Sequence, residues 1–336
     1  MTTGILLINI GTPESPAVPD VRRYLRQFLS DPCVVDIPYF IRLILLEAFI
    51  LPTRPQKSAR AYQSIWTAAG SPLLVHCQRL AEQLQQQVGD NFKVALGMRY
   101  GEPSIASALE KLLTTCDKLV IQPLFPQYSK AATGSAMQAV FEHLAAKPVI
   151  PAVTMGGDFF DHPFFIDAQA SIAKEALQGF TPDHWLMSYH GLPVRQVAAS
   201  EDKSIACDRL APCPQITAHN RFCYRAQSYA SSRALAACLQ LKPEDYTVSF
   251  QSRLGRTPWI KPYTDEILMT LRERGINDLA VICPSFVADC LETLEEIGIR
   301  AKEQWLLLGG RSLRLLPCVN SHPAWVVGLA KLVNPS

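Results

Sequence analysis

Short apolar runs rich in Val, Ile and Leu alternate along the chain with longer stretches of helical periodicity. This alternation constrains the fold most, because a continuously apolar strand must be buried on both of its faces. Strands joined by helices are typical of parallel sheets covered on both sides. The predicted strands are residues 5–10, 94–98, 119–124, 149–154, 185–189, 247–251, 279–283 and 305–308. The predicted helices are residues 18–29, 73–88, 104–113, 135–145, 164–178, 224–239, 265–274 and 286–297.

The length of 336 residues predicts two domains, each able to bury its own core. We therefore expect an α/β fold of two doubly wound, Rossmann-like domains with parallel sheets and a ligand cleft between them. The predicted N-terminal domain is residues 1–140, and the C-terminal domain is residues 141–319. A helix at about residues 320–336 is expected to pack on the first domain. Glycine fingerprints for phosphate binding are absent from the sequence, which disfavours a nucleotide enzyme.

The charge balance disfavours nucleic acid as the main partner. The net charge is +2, from 32 basic and 30 acidic residues, and no long run has one sign. The N-terminus is predicted to be a strand rather than a signal peptide, so we expect a cytoplasmic protein. The most apolar stretch is residues 37–51, which is too short to span a bilayer. It is predicted to be either a buried helix or an apolar helix that lines a cleft or contacts a membrane surface transiently.

Polar groups follow the apolar strands at their carboxyl ends, where ligands of parallel sheets bind. His190 ends a predicted strand and is followed by the turn Gly191-Leu192-Pro193. Farther on, Asp289, Glu292 and Glu296 are spaced i, i+3, i+7, which predicts one acidic helix face that a cation can pass along. The alternatives are a structural histidine and a solvated acidic helix.

Arginines and aromatic residues follow two other predicted strands. Arg253 and Trp259 come after the strand at residues 247–251, and Arg99 and Tyr100 come after the strand at residues 94–98. A surface of guanidinium groups and aromatic rings suits a flat apolar ligand that carries carboxylates. Ordinary packing is the alternative for each residue taken alone.

Three of the ten cysteines lie in a polar segment, at Cys207, Cys213 and Cys223. Their C-x5-C-x9-C spacing matches no zinc pattern, and three thiolates are one short of the usual four ligands. A [2Fe–2S] cluster or another metal site would therefore need a fourth ligand from elsewhere. Otherwise the three are ordinary thiols.

Six stretches of the sequence resemble the ferrochelatase family, of the bacterial type, in the family's order. They are residues 6–13, 98–101, 123–129, 188–193, 250–259 and 283–297. The resemblance implies that His190 and Glu292 are catalytic and bind Fe²⁺, with Asp289 and Glu296 supporting them. The porphyrin is then expected to contact Arg99, Tyr100, Arg253 and Trp259, which lie in the matching stretches.

The resemblance further implies a lyase of haem biosynthesis that inserts ferrous iron into protoporphyrin IX and releases two protons. Iron and porphyrin would be its substrates, and the chemistry would need no cofactor. Some bacterial relatives are thought to carry a cluster on an internal cysteine segment, which suggests a [2Fe–2S] cluster on Cys207, Cys213 and Cys223. The alternatives are a chelatase for another metal or tetrapyrrole, and a non-catalytic haem-binding or metal-binding protein of two lobes.

Overall fold

Eight parallel strands form two four-stranded sheets in the computed structural model, which describes residues 2–200, 212–255 and 257–334. The first sheet has the order β2-β1-β3-β4 and the second β6-β5-β7-β8. The strands are β1 (Thr3–Gly11), β2 (Phe92–Tyr100), β3 (Lys118–Pro123), β4 (Ala152–Met155), β5 (His184–His190), β6 (Tyr246–Gln251), β7 (Asp278–Ile282) and β8 (Ser312–Leu315). The predicted α/β fold of two doubly wound parallel sheets is confirmed.

The following helices precede β5 in the chain, and the last of them connects β4 to β5. They are α1 (Val18–Ser30), α2 (Tyr39–Ile44) with a π-helical turn (Leu45–Ile50), α3 (Arg54–Ile65), α4 (Pro72–Val88), α5 (Ile105–Leu113), a π-helical turn (Lys130–Gly134), α6 (Ser135–Ala145) and α7 (Pro163–Ala176). Proline stands at the first or second position of α1, α3, α4 and α7. Its fixed φ and missing N–H fit a helix start, so much of the scattered proline marks helix beginnings.

The remaining helices belong to the second half of the chain. They are α8 (Val194–Ala198), α9 (Tyr224–Leu239), a 3₁₀ turn (Pro243–Asp245), α10 (Thr264–Glu273), α11 (Leu291–Leu294), a π-helical turn (Glu296–Ala301), α12 (Lys302–Leu307) and α13 (Pro323–Val333). The same strand order thus occurs twice, although no sequence repeat indicated it.

Each sheet has its own apolar core. In β1, Ile5, Leu6, Leu7 and Ile8 are all fully buried, so both faces of the strand are covered. Leu6 and Ile8 pack with residues of α5, β3 and α6. In the second sheet, the core includes the fully buried Trp305 of α12. The buried side chains within the strands also include polar ones, such as Ser188 and Ser249.

Two sequence predictions about the last third of the chain are wrong. Residues 305–308 belong to the end of α12, and the strand predicted there is β8 at Ser312–Leu315. A short apolar run such as Trp-Leu-Leu-Leu has no period that separates a buried strand from a buried helix. The helix predicted at residues 286–297 begins only at Leu291, so Asp289 lies before it.

The chain divides into two compact units. One comprises Met1–Phe125, Lys130–Asp158 and Val326–Ser336, and the other comprises Pro126–Ser129 and Phe159–Trp325. The first unit extends beyond residue 140 because β4 pairs with β3 as the fourth strand of the first sheet.

The apolar segment at residues 37–51 lies largely on the surface of the first unit. Tyr39, Phe40, Ile41, Ile44 and Phe49 are between 58% and 75% exposed, so the interpretation as a buried helix is wrong. Across the described ranges, no helix is both long enough and apolar enough to cross a membrane.

Candidate functional site

The topology of the second sheet brings two predicted site residues to the same edge. The strand order reverses between β5 and β7, and such a switch point is where ligands bind in open α/β sheets. His190 is the last residue of β5, and the segment that follows β7 leads to Glu292 in α11. His190 and Glu292 therefore follow the two strands that flank the switch point.

Hydrogen bonds hold the main chain around His190 on three sides. The His190 N–H donates to Ser285 Oγ at 3.0 Å, and Tyr224 OH donates to the His190 carbonyl at 2.8 Å. The following N–H, of Gly191, donates to the Gln251 carbonyl at 2.8 Å. Burial raises the pKa of Tyr224, so its hydroxyl remains a donor at neutral pH. The position of the imidazole is therefore set by its backbone.

The imidazole of His190 has a defined tautomer when it is neutral. Its Nδ1 lies 2.6 Å from the Gly191 carbonyl oxygen, which can only accept a hydrogen bond. The ring proton of the neutral form is therefore on Nδ1, and the lone pair is on Nε2. With its side chain half-buried, His190 presents Nε2 as the atom that can take up a proton or bind a metal.

Trp259 packs against Gly191, the residue after this histidine, because glycine has no side chain there. A Cβ atom at Gly191 would lie 3.2 Å from Trp259 Cε3 and 2.6 Å from the Gln251 carbonyl oxygen. The indole Nε1 donates to the Leu254 carbonyl at 2.8 Å, which fixes the half-buried ring. The structure thus places Trp259 against the turn that follows His190.

Glu292 lies at the start of α11, next to a buried thiol. Cys290 is the residue before the helix, and burial followed by the charge of Glu292 raises its pKa well above the ordinary value. The thiol therefore stays protonated beside the carboxylate. The carbonyl of Glu292 accepts a hydrogen bond from Gln251 Nε2 at 2.7 Å, which links α11 to the end of β6.

Glu296 is held by the residues that follow β6. Its Oε1 accepts from the Ser252 N–H at 2.8 Å, and its Oε2 accepts from Ser252 Oγ at 2.5 Å. Ser252 has a left-handed backbone conformation with φ of 65°, which points both of its donors at this carboxylate. Glu296 thus lies close to Gln251 and Glu292, as the helical spacing suggested for the two glutamates.

Asp289 does not share the helical face of Glu292, so that prediction is wrong. Its carboxylate is 6% exposed and accepts from Asn320 Nδ2 at 2.7 Å and from Thr293 Oγ1 at 3.1 Å. In return, Asn320 Oδ1 accepts from the Asp289 N–H at 2.9 Å. Asp289 therefore joins the irregular segment before α11 to the turn before α13.

Arg253 is paired with acidic residues of α10. It donates to Asp265 and Glu266 at 2.5 and 3.2 Å, and its guanidinium lies 4.2 Å from the centre of the Tyr263 ring. A cavity of about 240 Å³ opens beside it. Its polar lining includes Ser252, Arg253, Asp265, Glu296, Arg300 and Gln304.

Arg99 and Tyr100 form a buried polar cluster in the first unit. Arg99 Nη2 and Tyr100 OH donate to Asp31 Oδ2 at 2.6 and 2.8 Å, and Arg99 Nε donates to Ser135 Oγ at 2.6 Å. Tyr100 is 1% exposed, so the structure does not support its ring as a wall of a ligand site. Asp31 is a functional residue of this cluster that no sequence motif indicates; its only local signal is its place between α1 and a proline.

The three cysteines of the polar segment are only partly within the described residues. Cys207 lies outside them, while Cys213 and Cys223 are buried. Cys213 Sγ accepts a hydrogen bond from Arg225 Nη1 at 3.0 Å. In residues 2–200, 212–255 and 257–334, no group of three or more His, Cys, Asp or Glu is arranged to hold a metal ion.

Comparison with known proteins shows relatives over nearly the whole chain. The family described as Ferrochelatase matches residues 2–336. A "Ferrochelatase" of Coxiella burnetii is 51% identical over 334 residues, covering 99% of this chain and 93% of that protein. A "Ferrochelatase" of Legionella pneumophila is 52% identical over 336 residues, covering 99% of both.

Among solved structures, a similar fold occurs in the sirohydrochlorin chelatase SirB of Bacillus subtilis subspecies spizizenii in complex with cobalt. Its TM-score is 0.54 at 10% identity, covering 99% of this chain and 94% of that one. SirB of Bacillus subtilis with Fe³⁺ has a TM-score of 0.53 at 11% identity, covering 99% of this chain and 96% of that one.

The cluster around Asp31 predicts a pH-dependent contribution to stability. Burial by itself would raise the pKa of Asp31, but hydrogen bonds from Ser135, Cys33 N–H and Tyr100 and the charge of Arg99 outweigh it, so the pKa is lowered. The carboxylate therefore stabilises the fold above its unfolded pKa of about 3.9. This stabilisation is lost as the pH falls through the lower, folded-state pKa.

We expect Asp31→Asn to lower the free energy of unfolding at neutral pH by about 1–3 kcal/mol, because the hydrogen bonds to Asp31 lose their charged acceptor and the half-buried Arg99 loses its counter-charge. The difference from the wild type should shrink on acidification below about pH 4. Urea unfolding at several pH values measures both effects, with the exposed Asp90→Asn as the control. A difference that stays constant with pH would contradict this account of the cluster.

Proposed function

Since this chain belongs to the ferrochelatase family, we propose that it is a lyase of haem biosynthesis that inserts ferrous iron into protoporphyrin IX, with His190 and Glu292 handling metal and protons. Iron and porphyrin are its substrates. This assignment is supported by the position of His190 at the end of β5 and of Glu292 in α11, which follows β7, because β5 and β7 flank the switch point of the second sheet.

The reaction replaces two pyrrole protons of the porphyrin with one dication, so the site needs proton acceptors. His190 Nε2 is such an acceptor, because the Gly191 carbonyl keeps the proton of the neutral ring on Nδ1. The same lone pair can bind ferrous iron while the metal is delivered. The fixed backbone of His190 keeps this atom in one place during both steps.

Glu292, in α11, supplies an anionic oxygen. Carboxylates are hard ligands that hold a divalent ion without trapping it as thiolates would. The neighbouring Cys290 remains a neutral thiol, because burial and the charge of Glu292 raise its pKa. The carboxylate of Glu296 accepts three hydrogen bonds, so it is held in place. It therefore adds to the negative electrostatic potential near Glu292 rather than acting as a mobile proton acceptor.

Porphyrin affinity comes mainly from apolar contact in this proposal. Burial of apolar surface contributes roughly 25 cal/mol per Å², which amounts to several kcal/mol for a macrocycle. Trp259, half-buried beside Gly191, offers such a surface. An exposed ion pair contributes only about 0–1 kcal/mol, so Arg253 sets the orientation of the propionates by exchanging its present acidic partners.

We expect His190→Ala to abolish metallation and Glu292→Gln to lower kcat by about 100-fold or more, since general acid–base groups contribute about 10²–10⁴-fold. Anaerobic mixing of the protein with ferrous iron and free-base protoporphyrin measures this directly, because the visible spectrum changes on metallation. Trp259→Ala should instead weaken porphyrin binding. Quenching of tryptophan or porphyrin fluorescence measures this affinity.

His143→Ala is the matched control, because His143 pairs with Glu110 in the first unit. A normal rate in His190→Ala would refute the proposed mechanism. Tight haem binding without turnover by the wild type would favour the non-catalytic alternative. Faster metallation with another metal or tetrapyrrole would favour a different chelatase.

The exposed apolar segment supports transient contact with a membrane surface. Five of its side chains, between Tyr39 and Phe49, are more than half exposed, and the substrate and product are themselves apolar. We expect the protein to co-sediment with anionic phospholipid vesicles. The double variant Phe40→Asp and Phe49→Asp should reduce the fraction of protein that is bound. Phe141→Asp, at another exposed aromatic residue, is the control. Equal sedimentation with and without vesicles would rule out this contact.

The surroundings of Cys213 and Cys223 support a [2Fe–2S] cluster with Cys207 and a fourth ligand. Cys213 accepts from the buried guanidinium of Arg225, and Cys223 stands at the start of α9. Both positions favour thiolates, which are the ligands of such a cluster. The cluster would supply a redox-active iron centre apart from the insertion step.

A protein purified anaerobically should then be coloured and contain about two iron atoms per chain. Cys213→Ser and Cys223→Ser should remove both signals, whereas Cys238→Ser, outside the polar segment, should retain them. A colourless preparation free of iron would show that no cluster is bound.

A further inference from the structure

The side chain of Gln251, at the end of β6, is buried and uses both ends of its amide. It is 3% exposed. Oε1 accepts from Ser188 Oγ at 2.8 Å, while Nε2 donates to the Glu292 carbonyl at 2.7 Å and to Glu296 Oε2 at 3.3 Å. A carbonyl and a carboxylate can only accept, so the orientation of the amide is determined by its surroundings.

The main chain of Gln251 holds the turn that carries His190. The two residues are direct partners in the pairing of β5 with β6. The carbonyl of Gln251 accepts the Gly191 N–H at 2.8 Å, and the Gly191 carbonyl is in turn the partner of His190 Nδ1 at 2.6 Å. Two consecutive hydrogen bonds therefore connect the backbone of Gln251 to the imidazole.

The helix that carries Glu292 depends on contacts outside itself. α11 is four residues long, and a π-helical turn begins at Glu296, so its own hydrogen bonds cannot hold it rigidly. Gln251 Nε2 binds the Glu292 carbonyl within this short helix. The neighbouring Ser252 binds the carboxylate of Glu296 one turn later.

We propose that Gln251 is a positioning residue for metal insertion, which fixes the imidazole of His190 and the carboxylate of Glu292 relative to each other. Its main chain holds the histidine turn, and its side chain holds α11. This inference rests on the proposed roles of His190 and Glu292. Because its side chain is buried, Gln251 acts through these two residues rather than on the substrate.

Two variants test the role of the amide donor. Gln251→Glu keeps the shape and the acceptor toward Ser188, but it turns an oxygen toward the Glu292 carbonyl and the Glu296 carboxylate. Gln251→Met removes the hydrogen bonds of the side chain without introducing a charge. This variant provides the test if Gln251→Glu does not fold. We expect kcat to fall by about 10- to 100-fold, as for other residues that orient metal-binding side chains.

The expected loss is specific to the chemical step. The dissociation constant of porphyrin, measured by fluorescence, should change by no more than about twofold, so the effect lies in kcat rather than in binding. Gln85→Glu is the matched control, because Gln85 of α4 also bridges main-chain groups, accepting from Val94 N–H and donating to the Phe92 carbonyl. It should lower the melting temperature and leave kcat unchanged.

Exchanging donor and acceptor provides a rescue. In Gln251→Glu combined with Glu296→Gln, the amide of residue 296 can donate to the carboxylate of residue 251. If the two substitutions acted independently, the kcat of the double variant would fall by the product of the two single losses. We expect its kcat to be at least about fivefold above that value. Independent, multiplicative losses would overturn the proposal, as would a normal kcat in folded Gln251→Glu. Failure of the proposed function would instead appear as an active His190→Ala.

Discussion

The burial of both faces of the central strands is the constraint on which the rest of the molecule depends. In β1, four consecutive side chains are fully buried, and in the second sheet β5 is buried from His184 to Tyr189. Polar side chains placed along such strands would need internal partners. Chemistry is therefore confined to the carboxyl ends, where the strands stop and irregular segments begin.

At those ends, main-chain hydrogen bonds determine where the functional side chains lie. The turn after β5 is held by Ser285, Tyr224 and Gln251, and the short helix α11 is held by Gln251 and by the Asp289–Asn320 pair. An iron chelatase has to bind its metal and then release it into the porphyrin. A site that is rigid in its backbone and composed of one imidazole and carboxylates suits this transfer better than a closed set of thiolates.

Several charged groups that the motifs single out are engaged in the structure. Arg99 is paired with the buried Asp31, and Arg253 with Asp265 and Glu266. Breaking a buried pair costs several kcal/mol, whereas an exposed pair costs little. Arg253 can therefore change partners when an anionic ligand arrives far more readily than Arg99 can.

The sequence by itself determined the fold class, seven of the eight described strands and the family, because apolar periodicity and motif order are local properties of the chain. The catalytic roles predicted for His190 and Glu292, whose residue types suit the reaction, stay a prediction. The sequence pattern misassigned residues 305–308, where an apolar run has no distinguishing period, and it placed Asp289 on a helix that begins later.

Only the tertiary structure decided which polar residues serve the site and which serve the fold. Gln251, Tyr224 and Ser285 act through partners far away in sequence, and no local pattern shows which residues they contact. The burial of Tyr100 and the exposure of the segment from Tyr39 to Phe49 depend likewise on what packs against them. Hydrogen bonds and burial between distant segments are set when the chain folds, so a linear pattern cannot specify them.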